Sequence, residues 1–301
     1  MDNVFVIGDV HGHIDRLEAL LKQEGLLAWC HLCQGSGLRH PADLASQCEK
    51  CLGEGTLRVR EDVTVIQLGD LGHFGVDGSP TADLLAYKYV TKNRWADVVL
   101  WGNHDRALVD PNHAFGGFTG ARMNREVGHY INILMEEGRL MLAMEAHDFL
   151  ITHAGLAAAF KQQKVPAQLK TDPAAFADWI NDEDEKFLET KECDKNAWGI
   201  RDAISRKRGG SGSVGGILWR DIDENLYDGF RQVFGHSADH KEHAVRYCWK
   251  GGYTRKIESM KHTDQSRASY CIDIGGKGDL KEDQCLAGTW LPSETIVRVD
   301  L

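Results

Sequence analysis

Oxygen and imidazole side chains occur beside glycine at five places in this sequence, and their types suit metal-dependent chemistry. The clusters are, in chain order, Asp9-Val-His11-Gly-His13, Gly69-Asp70, Gly102-Asn103-His104-Asp105, Thr152-His153-Ala-Gly and Gly235-His236. Carboxylate, amide oxygen and imidazole together suit first-row divalent metals such as manganese, iron and zinc. Glycine lets the backbone turn tightly and approach a ligand closely. A single Gly-His pair indicates only a turn, but five such clusters in one chain predict a metal site.

Short apolar runs precede the clusters, and they predict the elements that position them. Strands are predicted at 4–7, 63–68, 98–101 and 149–152, and each ends at one of the first four clusters. Apolar residues at helical spacing predict a helix after Ile14 and another at 83–93. This alternation indicates an α/β fold, in which reactive groups collect in the loops after the carboxyl ends of the strands.

In this order the clusters resemble the motif series of the calcineurin-like metallophosphoesterases. The series GDVHGH, GD, GNHD, THAG and GH is most similar to the branch with serine/threonine protein phosphatases, diadenosine tetraphosphatases and small bacteriophage phosphatases. Segments 216–221 and 270–276 are similar to the Leu-Trp and Cys-Ile-Asp-Thr-Gly segments of that branch. The resemblance implies one metallophosphoesterase domain over residues 1–301, an α/β sandwich of two mixed sheets flanked by helices.

The resemblance also implies a role for each donor. Asp9 and His11 would bind the first metal, and Asp70 would bridge both metals. The second metal would be bound by Asn103, His153 and His236. His104 would act as general acid on the leaving oxygen. The implied enzyme is a phosphatase that cleaves a phosphomonoester, in a phosphoprotein or a nucleotide, with hydroxide that two divalent metals make available near neutral pH. Manganese is favoured, with iron, zinc or nickel as alternatives.

The second cluster departs from the family pattern, which usually runs Gly-Asp-x-x-Asp-Arg-Gly. His73 replaces the carboxylate that orients the catalytic imidazole, and Phe74 replaces the arginine that binds phosphate. Three interpretations stay open. In the first, His73 still hydrogen-bonds His104 and the protein is a phosphomonoesterase. In the second, the site prefers diesters, which carry one charge fewer, and the protein is a phosphodiesterase or nuclease. In the third, the protein is a non-catalytic phosphate-binding scaffold. Arg220 is the candidate for the missing cation.

Four of the eight cysteines form two CxxCxGxG units, which begin at Cys30-Cys33 and at Cys48-Cys51. Two such units supply four thiolates for a tetrahedral structural zinc ion. The repeat resembles half of the cysteine-rich domain of DnaJ-type chaperones. The separation of Asp9 from Asp70 is wide for the family, so residues 28–60 are predicted to be an inserted zinc-binding module. Its predicted role is either a stabilised loop or a surface that contacts substrate or a partner protein.

The net charge and the lack of long apolar runs exclude some classes of binding partner. The net charge of −10 argues against broad nucleic-acid binding, because phosphate backbones attract basic surfaces. The sequence has no apolar run long enough to span a membrane and no signal-peptide pattern at its start, so a cytoplasmic protein is predicted.

Residues 172–192 predict an acidic helix with a solvated face. The Gly- and Ser-rich stretch 206–216 predicts a mobile linker, with a lid over the site as the alternative.

Overall fold

The computed structural model describes residues 3–33, 55–72, 80–109, 125–208, 210–221, 224–236, 245–250, 253–256, 268–272 and 286–299. Three predicted site residues lie outside these ranges, namely His73, Cys48 and Cys51.

Strands from distant parts of the chain assemble into two six-stranded sheets and a small ribbon. The strands are β1 (Val4–Ile7), β2 (Leu27–Trp29), β3 (Thr56–Arg58), β4 (Thr64–Gln67), β5 (Val98–Leu100), β6 (Leu140–Met141), β7 (Ala143–Ala146), β8 (Phe149–Thr152), β9 (Arg231–Phe234), β10 (Val245–Lys250), β11 (Tyr253–Lys256), β12 (Ala268–Cys271), β13 (Leu286–Leu291) and β14 (Thr295–Val299). The sheet orders are β14-β13-β1-β4-β5-β6 and β11-β10-β12-β9-β8-β7, and β2 pairs with β3. Both large sheets combine parallel and antiparallel pairs.

Helices flank the sheets, which confirms the predicted mixed α/β architecture. They are α1 (Ile14–Gln23), α2 (Pro80–Asn93), α3 (Asn103–Val109), α4 (Arg125–Glu136), α5 (Pro173–Thr190) and α6 (Lys195–Asp202). Short 3-10 turns cover Ala158–Gln162, Ala167–Lys170 and Arg206–Arg208. Within the described ranges, no helix has both the length and the apolar character that crossing a bilayer requires.

The central strands of the first sheet are apolar because both of their faces are covered. All four residues of β1 are buried, as are the three of β5. β1 runs parallel to β4 with Ile7 beside Gln67, and β4 runs parallel to β5 with Gln67 beside Val99. Parallel pairing in this register places the carboxyl ends of the three strands along one edge of the sheet. The loops that follow them are therefore neighbours in space.

The acidic helix α5 has the solvated face predicted for residues 172–192, and its opposite side is buried. Its apolar side is buried through Phe176 and Ile180, and Asp184 is buried with it. Asp184 accepts two hydrogen bonds from Arg106, at 2.8 and 3.2 Å, and one from Arg201 at 2.7 Å. Periodicity could not identify this buried carboxylate, because its partners come from α3 and α6.

The glycine-rich stretch that was predicted to be mobile is closely packed in the part the structure describes. The N–H of Gly212 donates to the carbonyl of Ile204, and that of Gly216 donates to Ala203. A Cβ at Gly210 would lie 2.2 Å from the Ile204 carbonyl oxygen. The glycines here allow backbone to contact backbone. Whether this stretch also closes over the site stays a prediction.

Candidate metal centre

The five sequence clusters meet where the strand-end loops of the two sheets face each other. Two groups of donor side chains form there, and within each group one ligand atom per residue lies within 4.8 Å of the others. The groups are Asp9, His11 and Asp70, and Asp70, His153 and His236. Asp70 belongs to both groups, which is the arrangement that a carboxylate bridging two metal ions requires.

The first group joins the loop after β1 to the loops after β4 and β9. The Nε2 atom of His11 lies 3.9 Å from Oδ2 of Asp9. The same Oδ2 accepts a hydrogen bond of 3.1 Å from the backbone N–H of His236. The N–H of His11 donates to the carbonyl of Asp70 at 2.9 Å. These bonds hold Asp9, His11 and Asp70 near one another, although Asp70 lies far from the other two in the sequence.

The second group shows acceptor atoms converging on one point. The Nδ1 atom of His153 lies 2.8 Å from the carbonyl oxygen of Leu68. Since a carbonyl only accepts, this contact places the proton on Nδ1 and leaves a lone pair on Nε2. That Nε2 lies 2.9 Å from Oδ1 of Asn103 and 3.7 Å from Oδ2 of Asp70. Three acceptors this close repel each other unless a cation lies between them.

His236 completes the second group. Its Nδ1 lies 3.1 Å from Nε2 of His153. Its Nε2 is buried and has no hydrogen-bond partner among the described residues. A ring nitrogen in that state is suited to a metal ion. The donor set of carboxylate, imidazole and amide oxygen therefore fits a pair of first-row divalent metals.

The backbone at these loops is strained in a way that indicates function. His11, Asp70 and His236 have φ values of 47°, 50° and 70°, in the left-handed region that side chains other than glycine seldom adopt. Non-glycine residues persist there only when the surrounding structure holds them, and such residues concentrate at active sites. All three strained positions carry predicted metal ligands.

Glycine is needed where the loops touch. A Cβ on Gly102 would lie 2.1 Å from Oδ1 of Asp70 and 2.2 Å from its backbone nitrogen. A Cβ on Gly235 would lie 2.4 Å from Oδ1 of Asp9. No side chain fits at either place, because real Cβ contacts under 3.0 Å essentially do not occur. The glycines of the sequence clusters thus let each loop reach the carboxylate of another.

Asp105 holds two of the loops together, a role that the sequence pattern did not predict. It is 1% exposed. Its Oδ2 accepts from the N–H of Asp70 at 2.7 Å and of Gly102 at 3.0 Å, and its Oδ1 accepts from the N–H of Leu71 at 3.2 Å and from the hydroxyl of Tyr87. Burial raises the pKa of Asp105 to about 6, partly offset by these hydrogen bonds. Its position directly after His104 was the available signal.

The imidazoles of the second group favour their neutral form, which is the form that binds metal. Burial lowers the pKa of His153 to about 3, although the hydrogen bond to Leu68 opposes the shift. Burial, followed by the nearby His153, lowers the pKa of His236 well below its ordinary value. The positive charge of Arg208 contributes to both shifts. The sequence pattern did not predict this influence of Arg208 on the two imidazoles.

His11 and His104 form the open side of the centre. Each has a side chain that is 16% exposed, whereas Asp9, Asp70 and His153 are at most 2% exposed. The N–H of His104 donates to Oδ1 of Asp70 at 3.0 Å, and its Nε2 lies 3.7 Å from Oδ2. His104 is thus beside the shared carboxylate and within reach of solvent.

Arg220 lies behind the loop that carries His153. It is 1% exposed, and its Nε donates to the carbonyl of Ala154 at 2.9 Å. Its Nη1 donates to the carbonyls of Asp221 and Glu224, at 2.9 and 2.6 Å. These contacts orient the arginine toward backbone carbonyls of its own loop and of the loop that carries His153. Its predicted contact with phosphate stays a prediction.

The chain is similar to known phosphoesterases in its sequence profile and to a known phosphatase in its fold. A profile of calcineurin-like phosphoesterases matches residues 3–239. A cold-active protein tyrosine phosphatase of known structure shares 14% identity and a TM-score of 0.50, over 99% of this chain and 76% of its own. A metallophosphoesterase from Sphaerobacter thermophilus shares 15% identity over 99% and 88% of the two chains, with a TM-score of 0.38. A serine/threonine phosphatase from Saccharomyces cerevisiae shares 12% over 93% and 82%, with a TM-score of 0.40. No curated protein sequence matches this chain.

Proposed function

Because this chain belongs to the calcineurin-like phosphoesterase family, we propose that it hydrolyses a phosphomonoester of a phosphoprotein or a nucleotide. The observation that supports a hydrolytic site is the convergence of two donor groups on the shared carboxylate of Asp70. A site that only bound phosphate would not need acceptor atoms packed this closely. The non-catalytic scaffold is therefore the weakest of the three interpretations.

The proposed metal ligands divide between the two groups. Asp9, His11 and Asp70 would hold one divalent ion, and the remaining ligands, Asn103, His153 and His236, would hold the second together with Asp70. Manganese is the proposed ion, because it accepts carboxylate and imidazole ligands together. When bound, the ions supply Lewis acidity that lowers the pKa of water and neutralises phosphate charge.

His104 is the proposed general acid. Its ring lies at the open side of the centre, next to Asp70. An imidazole with an ordinary pKa near 6.5 holds a proton that it can pass to a leaving oxygen near neutral pH. Asp105 would keep His104 in place, because its carboxylate connects the start of α3 to the loop of Asp70.

We propose Arg208 as a second candidate for the cation that Phe74 replaces. Its side chain is 19% exposed and pairs with Asp221 at 2.6 Å, and its charge acts on both buried histidines. Arg220, the candidate from sequence, also helps to lower the pKa of His236, but its Nε and Nη1 donate to backbone carbonyl groups. Comparison of Arg208→Gln with Arg220→Gln separates the two. Loss of phosphate affinity, seen as a raised KM, identifies the arginine that binds substrate.

A phosphodiesterase or nuclease is the second candidate function. It is favoured by the sequence at residues 73 and 74, where a histidine and a phenylalanine replace a carboxylate and a cation. A diester carries one charge fewer than a monoester and so depends less on a cation in the site. Both residues lie outside the described ranges, so this candidate rests on sequence.

The deciding experiment is manganese-dependent hydrolysis of p-nitrophenyl phosphate beside bis-p-nitrophenyl phosphate, with Asp70→Asn as the control. Faster cleavage of the monoester, with no activity in the control, supports the proposal. Faster cleavage of the diester contradicts it and favours the second candidate. If wild-type protein contains two metal ions per centre and cleaves neither compound, the non-catalytic scaffold is the interpretation that remains. Phosphopeptides and nucleotides then identify the substrate class.

A further inference from the structure

The buried carboxylate of Asp105 also contacts helix α2. Its Oδ2 accepts from the backbone N–H groups of Asp70, at 2.7 Å, and of Gly102, at 3.0 Å. Its Oδ1 accepts a longer bond of 3.2 Å from the N–H of Leu71, and a hydrogen bond from the hydroxyl of Tyr87. Among these four donors, Tyr87 is the one that comes from outside the strand-end loops of the centre.

Tyr87 occupies a rigid position in the fold. Its side chain is buried in the main hydrophobic core. Its backbone carbonyl, one turn from Thr91, accepts a hydrogen bond of 2.7 Å from the hydroxyl of that residue. A phenylalanine ring would fill the same place in the core, so packing alone does not require the hydroxyl. The hydroxyl adds a bond to Asp105, which lies 18 positions away in the sequence.

We propose that Tyr87 is a positioning residue of the metal centre, and that it fixes the shared ligand Asp70 through the carboxylate of Asp105. The terminal torsion of an aspartate has broad energy wells, so the direction of Oδ2 depends on what holds Oδ1. The hydroxyl of Tyr87 holds Oδ1, which keeps Oδ2 directed at the N–H of Asp70. Asp70 requires such support because its φ of 50° persists only where the surrounding structure maintains it.

The effect of Tyr87 should reach both metal ions at once. Asp70 belongs to both donor groups, so a displacement of Asp70 weakens the binding of each ion. A residue that supported a ligand of one group alone would affect one ion. Removal of the groups that orient metal ligands typically lowers metal affinity about 10- to 100-fold. This inference rests on the proposed pair of metal ions, but it does not depend on which ester the protein cleaves.

The test compares Tyr87→Phe with Tyr89→Phe in the full-length protein. Both tyrosines are buried in α2, but the hydroxyl of Tyr89 contacts Oγ1 of Thr56 in β3, at 3.5 Å. Manganese titration followed by electron paramagnetic resonance measures the affinity for each ion, and the multiline spectrum of a coupled pair shows when both sites are filled. We expect Tyr87→Phe to weaken the binding of both ions about 10-fold, and Tyr89→Phe to leave both affinities unchanged. Urea unfolding of the metal-free proteins checks that both variants fold.

A double variant tests the route of the effect. Residues that act in one hydrogen-bond network have non-additive effects. If Tyr87 acts through Asp105, adding Tyr87→Phe to Asp105→Asn should weaken manganese binding no further. A second loss of about 10-fold in the double variant would show that Tyr87 acts by another route, and it would overturn the proposal.

Three results with the single variants would also overturn the proposal. They are wild-type affinity for both ions in Tyr87→Phe, a loss that is confined to one ion, and an equal loss in Tyr89→Phe. The last would show that any buried hydroxyl of α2 has the same effect. A failure of the proposed metal centre gives a different result, because the wild-type protein would then bind no pair of manganese ions, and both proposals would fall together.

Discussion

A methyl group added at Gly102 tests how closely the centre is packed. In Gly102→Ala the new Cβ would lie 2.1 Å from Oδ1 of Asp70 and 2.2 Å from its backbone nitrogen. Favourable contacts between such atoms begin near about 3.3 Å, so one of the two loops must move by roughly 1 Å. The nitrogen is part of the backbone and cannot turn aside as a side chain can. The displacement therefore reaches the shared carboxylate.

The consequences follow from what Gly102 contacts. Its N–H and that of Asp70 donate to the same oxygen of Asp105, at 3.0 and 2.7 Å, so separating the loops weakens both bonds. Overpacking of this kind destabilises a protein by about 1–3 kcal/mol. A misplacement of about 1 Å in a reactive group lowers the rate about 100-fold. We expect kcat/KM to fall by about that factor and manganese affinity to weaken about 10- to 100-fold.

The matched control is Gly128→Ala in α4, where a Cβ would have no atom within 4 Å. The change from glycine to alanine inside a helix should stabilise the protein by about 0.5–1 kcal/mol and leave activity unchanged. Urea unfolding, hydrolysis of p-nitrophenyl phosphate and manganese titration measure both variants. The reasoning is refuted if Gly102→Ala folds and keeps wild-type activity and manganese affinity.

Three further perturbations test other parts of the centre. Asp105→Asn keeps the shape of the side chain but removes one hydrogen-bond acceptor, so a buried N–H loses its partner at a cost of about 1–3 kcal/mol. A manganese titration should then show weaker binding. Unchanged binding would argue against the role of Asp105 in holding the two loops together. His104→Asn should reduce turnover by roughly 100- to 10,000-fold while metal content stays at the wild-type value, since the side chain donates a proton and binds no ion; loss of metal would show that His104 is a ligand. Asp184→Asn should lower the free energy of unfolding, measured in urea, by about 3–5 kcal/mol, because Arg106 and Arg201 lose their shared carboxylate. The control Asp178→Asn changes an exposed residue of the same helix and should leave the free energy of unfolding unchanged.

Local sequence was enough to predict the elements that carry the donors. β1, β5 and β8 fall at or within the predicted strands, because apolar runs that end in glycine and a polar residue form buried strands with reactive loops. Glycine beside each donor indicated close approach, and the distances at Gly102 and Gly235 confirm that no larger residue fits. The two mixed sheets were predicted from the resemblance to a known family and not from local sequence, because the order of strands in a sheet depends on the whole chain.

The role of Asp105 depended on contacts that sequence spacing does not encode. It receives hydrogen bonds from Asp70, 35 positions away, and from Tyr87, 18 positions away. A carboxylate that accepts four hydrogen bonds in the interior has the same local sequence signature as an acidic residue in the first turn of an exposed helix. Only the assembled fold distinguishes the two.

The types and order of the candidate metal ligands could be predicted from sequence alone, because each donor follows a strand end and has a glycine beside it. The tertiary structure decided which donors share Asp70, which nitrogen of His153 carries the proton, and that Asp184 is buried. It also decided that the guanidinium of Arg220 donates hydrogen bonds to backbone carbonyl groups, whereas that of Arg208 pairs with Asp221. The physical reason is that charge, burial and hydrogen bonding depend on distance in space, and residues such as Asp9 and His236 meet only when two sheets pack.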